Sequence, residues 1–468
     1  MTRTTILEPS WTLVHQGGRA ELVADHSVVV EEGRIAEIVP GRLPGEQNRI
    51  DLTGQLLLPG LISAHTHTAL GSATRGLIEG GRSYGPPAVM LESLSDDDID
   101  ALTQYNLAEI LRAGCTTQVE QSLTLGHAKS YVRVASNWGV RGYPSTMLPS
   151  FSSMLPIWFG DDDAVTGSSA GTIAQIEEYL AWARTVQGAE GDRIRPMIAP
   201  HGPETATPET LDAILAAAKE LGTGIHTHLA TLPSDAERMK RLWGKGPVEW
   251  VGDHGWYDVP LLGAHLGGWE PETDAPYLAA QPNFTFVHCP SGAGAGSGEG
   301  RQPYIEALGA GINVAVGLDT HSNDMVENAK LAVLYGRLRY DIIHDSSPVP
   351  VKRPTVWDMV DSVTVNPADG LQRPDLGRIE AGALADLTSI DVSGLLVGAG
   401  TAGPEPLNNL LYANGTMVRT VMVEGVLQVH EGRLVIADEG DVMRRGAAVV
   451  ERLWKDLEAQ GWFTPTER

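Results

Sequence analysis

Between about Pro59 and Asp375 the sequence alternates short apolar runs with helical stretches, and this alternation constrains the fold more than any other feature. Such alternation is the signature of parallel βαβ units. Eight strand candidates follow one another: Leu61 to Ala64, Thr116 to Glu120, Gly139 to Tyr143, Arg195 to Ala199, Gly224 to His228, Leu261 to His265, Thr285 to His288 and Asn313 to Leu318. Helices are expected over Asp96 to Ala113, Ala170 to Val186, Pro208 to Leu221 and Pro303 to Ala310, with Gly222 and Gly311 as stops. Eight parallel strands favour a closed α/β barrel of the (β/α)8 TIM type over an open sheet, and they put catalytic residues at strand C-termini.

Both chain ends read differently. Ala20 to Leu22, Ser27 to Glu31 and Arg34 to Val39 are short alternating segments split by Glu32-Gly33, which predicts antiparallel β-structure. Ala385 to Ile390, Thr416 to Val423, Val426 to Val429 and Arg433 to Ile436 repeat that texture, so the two ends can close one sheet. The expected domains are a first β-sandwich part over 1–58, the barrel over 59–375, a second sandwich part over 376–438, and a C-terminal helix and tail over 439–468. The last helix, Glu439 to Leu457, should dock on the body. Leu148 to Gly167 reads as an irregular insertion near the mouth, and Ser291 to Gly300 as a mobile loop without the Lys-Ser/Thr pair of a phosphate cradle.

With Lys+Arg 34 against Asp+Glu 59, the formal charge of −25 excludes a general nucleic-acid binder, which needs clustered cations. Apolar residues at 42% and charged residues at 20% exclude a disordered chain. The two cysteines, Cys115 and Cys289, form no disulfide framework and suit a reducing compartment. Without a leader-like h-region or a membrane-spanning run, the expected location is the cytoplasm, with no membrane partner.

Several of the 14 histidines lie at the ends of apolar runs. His65-Thr66-His67 follows the apolar run Leu56 to Ile62, and residues two apart on a strand share a face, so both imidazoles point to one place. A lone HxH can be a chance surface pair. Here, however, His226-Thr227-His228, His265 and His288 end three further apolar strands, and Asp319 ends another. A single Asp in such a place is usually a helix cap. Together, His65, His67 and His228 with Asp319 make a site for one divalent transition metal, zinc first, with Fe, Mn, Co or Ni as alternatives. By pattern alone His226 fits a hydrogen-bonded core residue, and His288 one that orients its neighbours.

Pro59-Gly60-Leu61-Ile62-Ser63-Ala64-His65-Thr66-His67 resembles the opening signature of the metal-dependent amidohydrolase superfamily. The resemblance continues through Ala199-Pro200-His201, His226 to Leu229, Ala264-His265, His288 to Ser291, Gly317 to Asp319, Val365 to Ala368 and Ala383 to Asp386. It is greatest to the chlorohydrolase and aminohydrolase branch, which holds triazine hydrolases and nucleobase deaminases. The resemblance implies His65, His67, His228 and Asp319 as ligands of one metal, Asp319 and His265 as catalytic residues beside activated water, His201 at the substrate, and a homo-oligomer. No lysine stands near Pro196 to His201 to bridge a second ion, which favours one metal, while His201, His265 or Glu120 are the residues that could still support a second. Thr231, His288 and Trp158 complete the expected substrate contacts, with Trp243, Trp256 and Trp269 as further candidates for the mouth.

One departure directs the functional expectation. The branch places a Glu three residues after the fifth-strand His, where it shuttles a proton to a ring nitrogen; this chain has Thr231. An alcohol cannot take that part near neutral pH. The leading expectation is therefore hydrolysis, through metal-activated water, of a non-peptide C–N or related carbonyl–heteroatom bond in a small amide, urea or (thio)carbamate, close to phenylurea and thiocarbamate hydrolases. The alternatives are a deaminase or dehalogenase of a heteroaromatic ring (triazine, purine or pyrimidine) and an inactive binding or scaffold relative.

Overall fold

The computed structural model describes residues 4–44, 48–77, 79–80, 82, 85–158, 160–167, 169–295, 301–398 and 405–461. The protein is an α/β molecule. Its strands at the predicted places are Leu61–Thr66, Cys115–Glu120, Arg141–Tyr143, Ala199–Pro200, Ile225–Leu229, Leu261–His265, Phe284–His288 and Asn313–Val316. The first three pair in parallel, as do the last four, in chain order. Single parallel bridges join the groups: Gly142 to Ile194, Ile198 to Ile225, and Thr66 to Asp319, which sets the end of the last strand beside the first.

The fourth strand is far shorter than the expected Arg195 to Ala199. Pro196 lacks the N–H that a ladder needs, and pairing contracts to Ala199–Pro200 against Met147–Leu148. Elsewhere nearly every strand residue is buried, as helices on the outside and side chains within require. Ile62, Val119, Tyr143, Met197, Leu262, Val287 and Ala315 form one inner cluster with Ala368, Leu371 and Leu376.

The predicted helices form, two of them with side-chain N-caps. Ser95 accepts from the Asp98 N–H at the start of Asp96–Arg112, Thr207 caps Pro208–Leu221, and Gly222 ends that helix in the left-handed region. The expected irregular insertion is instead helical over Phe151–Trp158 and Asp162–Gly167, because Phe151, Met154, Ile157 and Val165 bury one side. Pro290–Ala295, which overlaps the start of the expected mobile loop, is a short helix; 296–300 lie outside the described residues.

The two chain ends share a nine-stranded sheet. Thr5–Gln16 and Asn48–Pro59 pair in parallel, a departure from the all-antiparallel expectation, and Asn48–Pro59 then pairs antiparallel with Leu387–Asp391. Asn48–Pro59 runs through Gly60 directly into the first histidine strand, so this sheet anchors the start of the site. The helix Glu439–Ala459 docks on Asp96–Arg112: Gly446 packs against Tyr105, where a Cβ would come within 2.6 Å of the ring. No helix among the described residues is long and apolar enough to cross a membrane.

Candidate metal centre and active site

Three imidazoles converge at the strand ends. The ligand atoms of His65, His67 and His228 all lie within 4.8 Å of one another, with the Nε2 atoms of His67 and His228 3.3 Å apart. Asp319 Oδ1 lies 3.8 Å from His65 Nε2 and 3.7 Å from His67 Nε2. Gly317 permits this approach, since a Cβ there would come within 2.8 Å of the His65 Cβ. A second group within the same limit joins His65 and Asp319 to His265 and Cys289.

The Nδ1 atom of each of these three rings is already engaged. His67 Nδ1 meets the Gln121 carbonyl at 2.7 Å, His228 Nδ1 the His201 carbonyl at 2.8 Å, and His65 Nδ1 the His226 Nε2 at 2.7 Å. A carbonyl only accepts, so the Nδ1 of His67 and His228 carries hydrogen and Nε2 presents a lone pair. Burial, their first cause, lowers the pKa of His65, His67 and His228, which keeps the rings neutral. His65 Nε2 is buried without a hydrogen-bond partner. A neutral three-nitrogen set with one carboxylate and one orphaned nitrogen fits a divalent cation.

Two residues here hold backbone conformations that side chains seldom adopt. His265 has φ 82° and Asp319 φ 58°. His265 ends its strand and Asp319 follows the strand Asn313–Val316, and both line a cavity together with His67, His201 and His228. Leu70, Leu123, Met147, Phe151 and Met154 give the cavity its apolar lining, and Glu204, Thr231, Asp235 and Arg238 line it as well. His201 lies in the cavity with its ring 4.8 Å from that of His228, and its Nδ1 is 3.1 Å from Glu204 Oε1. Burial, then the Glu204 charge, pushes the Asp235 carboxyl up to about 7. Asp235 also accepts from the Leu232 N–H at 2.8 Å, at the start of helix Pro233–Trp243.

Other expected residues fall elsewhere. His288 does not line the cavity: it stacks on Tyr304 at 4.9 Å and bonds to Gln302 through Nδ1. Trp256 is completely buried and donates to the Leu211 carbonyl, Trp243 stacks on Trp250, and Trp269 is buried away from the cavity. The Trp158 side chain lies outside the described residues. Glu120 is buried under Thr68 and Ser122, which donate to it and so hold the turn after His67. Sequence reasoning missed Glu204, Asp235 and Gln302. The only signal for the two acids was position, three residues after His201 and four after Thr231.

The amidohydrolase family model matches residues 56–428, which include every residue of the metal cluster. The chain belongs to the amidohydrolase family. It is 28% identical over 449 residues to a 5-methylthioadenosine/S-adenosylhomocysteine deaminase of Moorella thermoacetica, covering 92% of this chain and 94% of that one. It is 26% identical to a 5'-deoxyadenosine deaminase of Methanosarcina mazei, covering 91% and 93%. Among solved structures, atrazine chlorohydrolase from Arthrobacter aurescens TC1 complexed with zinc superposes with a TM-score of 0.78 at 21% identity, over 95% of this chain and 100% of that one. This amidohydrolase stands in the chlorohydrolase and aminohydrolase branch and is a hydrolase of carbon–nitrogen bonds other than peptide bonds.

Proposed function

We propose that this amidohydrolase removes an amino group from a small heteroaromatic ring by hydrolysis. The observation that carries the proposal is the Glu204–Asp235 carboxyl pair on the cavity wall beside His201. The amide, urea or (thio)carbamate expectation rested on the lack of an acid at Thr231. Asp235 supplies an acid that position 231 lacks: it lines the same cavity as Thr231, and burial with the neighbouring Glu204 charge raises its carboxyl pKa, so that it can hold a proton. The curated relatives, named as deaminases of adenine nucleosides, support the same direction.

When bound by His65, His67, His228 and Asp319, a divalent ion, zinc in this proposal, lowers the pKa of water toward neutrality and so supplies the nucleophile. The chain's own residues do the rest. The apolar wall from Leu70 to Met154 takes the flat ring. Asp319 accepts the proton of the attacking water and returns it to the amino group, which leaves as ammonia when the C–N bond breaks; Asp235 delivers a proton to a ring nitrogen, so that charge does not build there, and regains one from the hydroxyl as the ring carbonyl forms. Glu204 holds His201, which steadies the substrate. The proposal takes the parallel strands as one closed (β/α)8 barrel and the two ends, 1–58 and 376–438, as one small β-domain. Cytoplasmic location and homo-oligomeric assembly belong to it as well, on composition and resemblance.

The test is incubation of zinc-loaded protein with aminopurine nucleosides, aminotriazines, phenylureas and thiocarbamates, with products read by mass spectrometry and an ammonia assay. Ammonia from a ring substrate is the expected result. Cleavage of ureas or thiocarbamates without ring deamination would overturn it.

A further inference from the structure

Behind His265 sits a buried amide that neither the metal cluster nor the cavity wall uses. Gln302 is 3% exposed. Its Oε1 lies 2.8 Å from the Cys289 backbone nitrogen and 2.8 Å from His288 Nδ1. Its Nε2 lies 3.4 Å from the Cys289 carbonyl and 3.2 Å from His265 Nδ1. A backbone N–H only donates and a carbonyl only accepts, so Cys289 fixes which end of the amide is oxygen. The reverse orientation would set donor against donor and acceptor against acceptor in a buried place. Gln302 Nε2 therefore donates to His265 Nδ1, which must be a bare lone pair. A neutral imidazole with a bare Nδ1 carries its proton on Nε2. Because Nδ1 is turned to Gln302, that Nε2–H is the edge left for the cavity that His265 lines with Asp319. His288 takes the opposite tautomer, donating from Nδ1 to the Gln302 oxygen while it stacks on Tyr304.

We propose that Gln302 is a positioning residue that sets the tautomer of His265, so that His265 serves the reaction as a hydrogen-bond donor and proton acceptance from water falls to Asp319. A fixed donor at that place gains strength as negative charge develops on the attacked centre, and it costs no reorganisation. The proposal rests on the hydrolytic reading above for the reaction it serves, but the tautomer itself can be observed without turnover.

The test uses zinc-loaded protein labelled with 15N-histidine, the His265 signals being assigned by their loss in His265→Asn. Wild type should show His265 with protonated Nε2 and unprotonated Nδ1. Gln302→Glu places a carboxylate oxygen against Nδ1 and should draw the proton there, with kcat reduced about tenfold or more and KM within about twofold. Gln302→Met, which deletes the donor without offering an acceptor, should give a tautomer mixture. A His265 protonated on Nδ1 in wild type overturns the proposal, as does an unchanged tautomer in Gln302→Glu. Should Gln302→Glu fail to fold, the wild-type spectrum and Gln302→Met decide. A protein that deaminates no ring but shows the expected tautomer would refute the substrate reading and leave this inference standing.

Discussion

His65 and His226 meet across the interior, Nδ1 to Nε2 at 2.7 Å, and both rings are fully buried. With His226 accepting, His65 keeps its proton on Nδ1 and turns a lone pair toward His67, His228 and Asp319. His226→Leu removes the acceptor and leaves His65 free to rotate or to change tautomer. Metal affinity should fall about 10- to 100-fold, read by competition with a chelator. An affinity unchanged within about twofold would show that His226 only fills space.

Asp319 occupies a left-handed backbone at φ 58°, a conformation that Asn tolerates as well as Asp. Asp319→Asn should therefore fold, with a melting temperature close to that of wild type, yet lose kcat by about 10²-fold or more because an amide cannot accept the water proton. Circular dichroism melts and steady-state rates separate the two effects. A metal-loaded, active Asp319→Asn enzyme would remove this residue from the chemistry.

Asp235, pushed up to about 7 by burial and then by Glu204, holds its proton below that pH and loses it above. If it delivers a proton, kcat/KM should decline as pH rises through about 7, and Asp235→Asn should lower the rate about 10²-fold and abolish that limb. Stability follows the same sign. A carboxyl whose folded pKa lies above its ordinary value of 3.8 contributes stability that is full below 3.8 and is lost as pH rises through about 7. Melting temperatures measured from pH 5 to 8 should fall less steeply in Asp235→Asn than in wild type.

The parts of the site that stand at the ends of apolar strands were legible in the sequence, because an imidazole or carboxylate there has no partner within its own segment. His65, His67, His228, His265 and Asp319 all announce themselves this way. Asp235 does not, since an acid in the first turn of a helix reads as a cap, and it is one, through the Leu232 N–H. Its second face, toward Glu204, exists only once the chain is folded. Gln302 was invisible for the same reason: its partners, Cys289 and His265, are brought to it by neighbouring strands. The insertion was misread because its buried side, Phe151, Met154 and Ile157, spans barely two helical turns.

Arg141 tests how the small sheet holds the site-bearing strands. Its side chain is completely buried, with Nε 2.9 Å from Asp386 and Nη2 2.8 Å from Glu424, and Arg193 reaches Glu424 at 2.8 Å. The pair ties the strand Arg141–Tyr143 to the segment entering Leu387–Asp391 and to the turn after Val418–Val423. Arg141→Met leaves Asp386 with a buried charge and no cation, which costs about 3–5 kcal/mol, far more than the pair itself contributes over an apolar replacement. Arg141→Lys keeps the charge but not the fork that spans both carboxylates, so its loss should be intermediate. Chemical denaturation of the two variants beside wild type checks the order, and a loss in Arg141→Met no larger than in Arg141→Lys would assign the effect to packing alone.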